Sequence, residues 1–412
     1  MTMPLMLRGA AALLFAAAGL LLAPQASAAE AVSWITTWSA APDQAGPALR
    51  PQTIRQIMRV SAGGQQVRVR LSNLFGIAPL TIGAAHVALP AEGSAIQTGT
   101  DRALSFAGKP GVTIAPGESA LSDALPMAVA PLQSLAVSLY LPQGSEAPTL
   151  HGIGTQTVHF SDGVDATSAS TLPRHELDDS RYFVTDIEAL APGQSAGTLV
   201  ALGDSVTDGV GSTPDQSRRW TDALAERLQG VPATAGIGVA NAGIAGNRIL
   251  RDGIDPYIGP SALSRLEGDV MSKPGVRWVI LLEGINDITA ASVLPLPEDQ
   301  PSAQRIIEGM KAIAERAHAG GVKIVGATLL PRAGATGVRA QTPQAEAKRL
   351  AVNEWIRNGR AFDAVLDFDR VLQDPDQPDR LRPDFDSGDH GHPNDAGYRA
   401  MAAAFKLEWL TP

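Results

Sequence analysis

Ser205 stands in Ala201-Leu-Gly-Asp-Ser-Val-Thr-Asp-Gly209, directly after the apolar run Thr198-Leu-Val-Ala-Leu202. A serine hydroxyl is a weak nucleophile until a neighbouring base removes its proton. Gly203 and Gly209 let the backbone turn sharply and let a substrate come close to it. The same serine can equally do no more than cap a following helix. A second serine, Ser195 in Gly193-Gln-Ser-Ala-Gly197, matches the G-x-S-x-G pattern. Its apolar strand follows the serine instead of preceding it, which is the wrong context for a nucleophile.

Groups that can serve a nucleophile gather in three further polar stretches. These are Asn241-Ala-Gly-Ile-Ala-Gly-Asn-Arg248, Glu283-Gly-Ile-Asn-Asp-Ile288 and Asp384-Phe-Asp-Ser-Gly-Asp-His-Gly-His-Pro-Asn394. In the last, Asp389 precedes His392 by three residues, so its carboxylate can reach the imidazole and hold one tautomer. His390 is the rival base. Asp384, Asp386, Asp389 and the two histidines also read as a metal cluster, but their spacing does not follow a calcium loop, and no metal is expected. Asp204 and Asp208 are expected to bond loop amides beneath the serine. Asn247 and Arg248 can line the acyl or alcohol side of a substrate, or Arg248 can pair with Asp287.

These stretches need a scaffold that collects them. After the strand at 198–202, strand-like runs recur at 237–240, 276–282, 322–330 and 364–368. Helical patterns lie between them. One covers Arg218 to Leu228; another has Ala303, Ile306, Ile307, Met310, Ile313, Ala314 and Ala317 on one face and stops at Gly320-Gly321. A last helix is expected over Ala396 to Leu407. Continuous apolar strands alternating with amphipathic helices predict an α/β fold, a five-stranded doubly wound parallel sheet covered on both faces. Each polar stretch then falls just past the carboxyl end of a strand, where such sheets place their ligand sites.

The preceding part reads differently. From about Ala31 to Glu188 it shows short alternating runs such as Val67-Arg-Val-Arg-Leu71 and Leu135-Ala-Val-Ser-Leu-Tyr140, punctuated by glycine and proline. An all-β sandwich-like domain of jelly-roll type is expected, with a hairpin around Gly63-Gly64. Trp34 and Trp38 could stack on a sugar ring, which would make this part a carbohydrate-binding module, although large rings more often bury against a sheet. His86, His151, His159 and His175 lack ligand spacing.

The domain boundaries that follow are 1–28 for a signal peptide, 29–190 for the β-rich domain, 191–197 for a linker and 198–412 for the α/β domain. Residues 1–28 combine Arg8, the apolar run Gly9 to Leu22 and Ala26-Ser-Ala28, the pattern of a cleavable secretory signal. A secreted or periplasmic protein with no stable membrane anchor after cleavage is therefore expected. The chain has no cysteine, so its fold relies on its cores and not on disulfides. Its net charge of −9 and the lack of any Lys/Arg stripe argue against a nucleic-acid partner.

Taken together, Gly203-Asp-Ser205, Gly246 within Ala245-Gly-Asn-Arg248, Gly284-Ile-Asn286-Asp and Asp389-His-Gly-His392-Pro resemble the four blocks of the SGNH, or GDSL-type, hydrolase family. The resemblance covers roughly 197–410. The first block has Val206 where the family name implies leucine. The β-rich part bears a looser likeness to secreted bacterial members that carry such a domain ahead of the hydrolase. The resemblance implies the sheet order of flavodoxin and a catalytic set of Ser205, Asp389 and His392. It also implies an oxyanion hole formed by the backbone N–H groups of Ser205 and Gly246 and the side-chain amide of Asn286, with no cofactor. The implied activity is hydrolysis of carboxylic esters, with short acyl or acetyl groups on a small molecule or polysaccharide expected first. A lipid or lysophospholipid acylhydrolase and an O-acyltransferase are the alternatives.

Overall fold

The computed structural model describes Met1 and residues 32–172, 177–193, 195–253, 258–289, 300–336 and 341–410. The signal-peptide expectation, apart from Met1, and His175 therefore lie outside the described residues. Ala31–Pro412 form one compact unit.

The parallel sheet is built from Gly197–Gly203, Ile237–Gly243, Val276–Leu282, Lys323–Ala327 and Ala364–Leu366. Counted along the chain, they lie in the order 2-1-3-4-5, and each neighbouring pair is parallel. Alternate side chains of each strand enter two different cores. Val200, Leu202, Val279, Leu281 and Ile324 pack with Ile306, Met310 and Ile313 of the helix Ala303–Ala319. Leu199, Ala201 and Ile280 pack with Trp220, Leu224 and Leu228 of the helix Trp220–Gln229 and with Tyr398 and Met401 of the helix Asp395–Ala404. A strand buried on both faces has few positions for a polar residue, which is why the middles of these strands read as nearly continuous apolar runs.

Several sequence expectations shorten here. The fifth strand ends at Leu366, and the fourth stops at Ala327, past which the N–H of Leu329 donates to Asn353 Oδ1 at 2.7 Å instead of to a strand. The last helix stops at Ala404, and Leu407–Leu410 form a separate single turn.

The β-rich region has two main antiparallel sheets. One orders Val32–Ser39, Val184–Pro192, Val67–Ser72 and Ser119–Leu121; the other has six strands with Gln52–Arg59 and Ser134–Leu141 paired at its centre. Ile54, Met58, Val137 and Leu139 of the second meet Val67, Val69, Leu71 and Ile187 of the first in one core, so the sheets form a sandwich. The expected hairpin at Gly63-Gly64 is not one. Gln52–Arg59 and Val67–Ser72 belong to different sheets, so the glycines lie in an arch that crosses between them. Their apolar faces look toward each other across the core instead of lying side by side.

Trp38 is buried in this core, and Trp34 lies under the Arg68 guanidinium at 4.0 Å. The strand Val32–Ser39 also meets the parallel sheet. The N–H of Thr36 donates to Thr198 Oγ1 at 2.9 Å, and Ser39 Oγ donates to the carbonyl of Asn241 at 2.7 Å.

Candidate active site

Ser205 is the first residue of a single helical turn, Ser205–Asp208, that begins where the first parallel strand ends. Asp204 caps this turn by accepting from the N–H of Val206 at 3.0 Å. The turn folds back so tightly that a Cβ on Gly203 would strike the Thr207 side chain and the Leu282 carbonyl, so only glycine fits there. Asp204, not Ser205, is the cap, which leaves the Ser205 hydroxyl available to another group. Burial pushes the Asp204 carboxyl up to about 7, against the Val206 N–H and the charge of Arg332. Ser195 lies ahead of the same strand, at the end of the sheet opposite Ser205.

His392 meets the hydroxyl. Its Nε2 lies 2.8 Å from Ser205 Oγ, and its Nδ1 lies 2.6 Å from Asp389 Oδ2. Asp389 Oδ1 also accepts from the N–H groups of Gly391 and His392 at 2.9 and 2.8 Å. Burial works to raise the Asp389 carboxyl, but the hydrogen bond and charge of His392 and these two amides hold it well below the usual carboxylate range. A carboxylate in that position fixes Nδ1 as the donor, so Nε2 is left to accept the serine proton. His390 instead pairs with Asp386, Nδ1 to Oδ2 at 2.6 Å, with its side chain 55% exposed. The aspartates and histidines of this loop therefore separate into two pairs.

The remaining candidate donors lie just past the carboxyl ends of the strands Ile237–Gly243 and Val276–Leu282. Gly246 has φ of +78°, a left-handed conformation that favours glycine. Asn286 lies in the single helical turn Ile285–Thr289 that follows the strand Val276–Leu282; its Nδ2 donates to the carbonyl of Asn247 at 3.0 Å. An amide nitrogen carries two protons, so a second N–H remains for a ligand. Asp287 accepts from the N–H groups of Ile249 and Leu250 at 2.8 and 3.1 Å, while Arg248 donates to the carbonyl of Asp252 at 2.7 Å. Burial raises Asp287 to about 6. Asn247 does not line a substrate path: it is fully buried, and its Nδ2 donates to the carbonyls of Ile258 and Pro260.

Two buried residues bear on this loop that the sequence did not tie to it, His151 having been read only as a histidine without ligand spacing. Arg265 donates to Asn247 Oδ1 at 3.0 Å and to the carbonyls of Gly203 and Ala242 at 3.0 and 2.7 Å, tying the loop after the strand Ile237–Gly243 to the ends of two strands. Its only visible sign in the sequence is Asp269 four residues later, which reads as an ordinary surface pair. The other is His151, considered below. A cleft of about 330 Å³ opens over Ser205 and His392, walled by Val206, Ile285, Leu329, Leu330 and Arg332 among others.

A flavodoxin-ordered sheet with serine, histidine and aspartate in hydrogen-bonded sequence at its carboxyl edge defines an α/β protein of the serine-hydrolase type. Residues 201–400 match the model of the GDSL-like Lipase/Acylhydrolase family. Solved structures with the same kind of domain include the aryl esterase of M. smegmatis, 19% identical, covering 51% of this chain and 96% of that one with a TM-score of 0.40. An acetylxylan esterase from Geobacillus stearothermophilus is 22% identical, covering 52% and 94% with a TM-score of 0.39. A GDSL-like lipase from Bacteroides thetaiotaomicron is 19% identical, covering 50% and 84% with a TM-score of 0.37. Among curated proteins none matches.

Proposed function

We propose that the protein is a secreted serine esterase that cleaves short-chain carboxylic esters through an acyl-enzyme. The observation that carries this reading is His392 bridging Ser205 at 2.8 Å and Asp389 at 2.6 Å. Ser205 Oγ attacks the ester carbonyl carbon as His392 Nε2 takes its proton, and Asp389 stabilises the imidazolium that forms. The carbonyl oxygen becomes an oxyanion that the N–H groups of Ser205 and Gly246 and the Asn286 amide receive. The carbon–oxygen bond to the alcohol then breaks, with His392 returning the proton to the leaving oxygen. Water, deprotonated by His392, attacks the acyl carbon; the bond to Ser205 Oγ breaks as His392 returns the proton to that oxygen, and the acid leaves. No cofactor enters these steps.

Val206, Ile285, Leu329 and Leu330 beside Ser205 suit the apolar part of a short acyl group. Export rests on the pattern of residues 1–28, and mass spectrometry of protein from the native host should find a mature chain starting at Ala29. For the chemistry, a fluorophosphonate probe should label Ser205 in the wild type and fail to label Ser205→Ala, which should also lose turnover of 4-nitrophenyl acetate. Turnover retained by Ser205→Ala overturns the reading. Product analysis with added sugar acceptors separates hydrolysis from acyl transfer.

A further inference from the structure

His151 ends the short strand Thr149–His151 of the β-rich region, outside the stretch that matches the hydrolase family, and it is almost fully buried. Its Nδ1 donates to the carbonyl of Ala41 at 2.8 Å and lies 3.6 Å from Asp43 Oδ2. Its Nε2 lies 3.0 Å from Asp208 Oδ1 and 3.1 Å from the carbonyl of Ile153. Carbonyls and carboxylates only accept, so both ring nitrogens must carry protons; a neutral ring would set one lone pair against others in a buried place. The arrangement fits an imidazolium between two aspartates.

Asp208 leads from there to the chemistry. It closes the helical turn that Ser205 opens, and its Oδ2 accepts from the N–H of Ala245 at 2.9 Å. Ala245 precedes Gly246, whose N–H is the expected oxyanion donor. We propose that His151 is a positioning residue for the esterase site, its imidazolium letting the β-rich region lock Asp208, and through it the Ala245–Gly246 peptide, against the nucleophile turn. This rests on the esterase reading above and adds to it that the α/β half depends on a group the other half supplies.

The charges around His151 agree. Burial opposes its protonation, yet Asp208 and then Asp43 outweigh burial and raise the imidazole to about 9, with Arg219 working against them. Burial raises Asp43 to about 6, with His151 opposing. Arg181 lines the same small cavity as His151, Asp208 and Arg219. A misplacement of about 1 Å caused by a change far from the reacting atoms can cost about 100-fold in rate.

The test uses the full-length chain, with His151→Gln, which keeps one donor without charge, and His151→Ala. Both should label with fluorophosphonate at Ser205. In His151→Ala, kcat for 4-nitrophenyl acetate should fall by up to about 100-fold while KM stays within a few-fold, and His151→Gln should fall less. NMR of isotope-labelled histidine in the wild type should show both His151 ring nitrogens protonated at neutral pH, the signal being assigned by its loss in His151→Gln. A neutral tautomer, or a lowered Tm with kcat unchanged in the folded variants, overturns the proposal and makes His151 a packing residue. A wild type with no turnover and no label sinks the esterase reading, and the positioning role with it, whereas turnover intact in both variants sinks positioning alone.

Discussion

Two histidine–aspartate pairs share the loop between Asp384 and Asn394. In each, Nδ1 lies 2.6 Å from an aspartate oxygen, so residue type and distance are the same. What differs is the far side of the ring. His392 is buried and presents Nε2 to Ser205, whereas the side chain of His390 is 55% exposed, with φ of +59° at its backbone. A paired imidazole is thus not in itself a catalytic base. It becomes one when a third group waits at the other nitrogen and water is kept away from both.

The widest separation between the pairs should come from removing each ring. If His392 is the base, His392→Ala should lower kcat by about a million-fold, as losing the histidine of a serine triad does, while His390→Ala stays within a few-fold of wild type. Equal losses in the two variants would erase the distinction. Changing the carboxylates should separate them next. Asp389→Asn should cost about ten-thousand-fold in kcat because an amide supports the wrong tautomer, and Asp386→Asn should cost little. Asn286→Ala sharpens the contrast from outside the loop. Losing one oxyanion donor should lower kcat by about 100- to 1,000-fold with His392 and Asp389 untouched, and an unchanged kcat would remove Asn286 from the hole.

How far such distinctions can be read from sequence depends on where the partners lie. Asp389 and His392 are three residues apart on one loop, and the strand Val276–Leu282 was legible to its ends because both of its faces are buried. Gly203 follows from its place at the end of a strand and Asn286 from its place just beyond one. The arch at Gly63-Gly64 was misread as a hairpin, since alternation tells which face is buried but not which sheet a strand joins. Arg265 and His151 were illegible for a stronger reason. Arg265 holds Gly203, 62 positions away, and His151 meets Asp208, 57 positions away, so nothing near either residue in the chain announces the contact.

The smallest expected effect concerns stability in acid, and it tests whether Asp389 is held as tightly as its partners imply. Its folded carboxyl is kept well below the usual range, while in the unfolded chain it returns to about 4. A group whose folded value is depressed contributes stability above the unfolded value and loses it as pH falls toward the folded one. Asparagine keeps an oxygen for the Gly391 and His392 amides but has no charge to lose. Unfolding curves of wild type and Asp389→Asn, compared from neutral pH into acid, should therefore show the wild-type advantage narrowing below about pH 4. An advantage that holds constant or widens there would mean that the carboxylate gains nothing from its partners, and the contrast between the two histidine pairs would then rest on Ser205 alone.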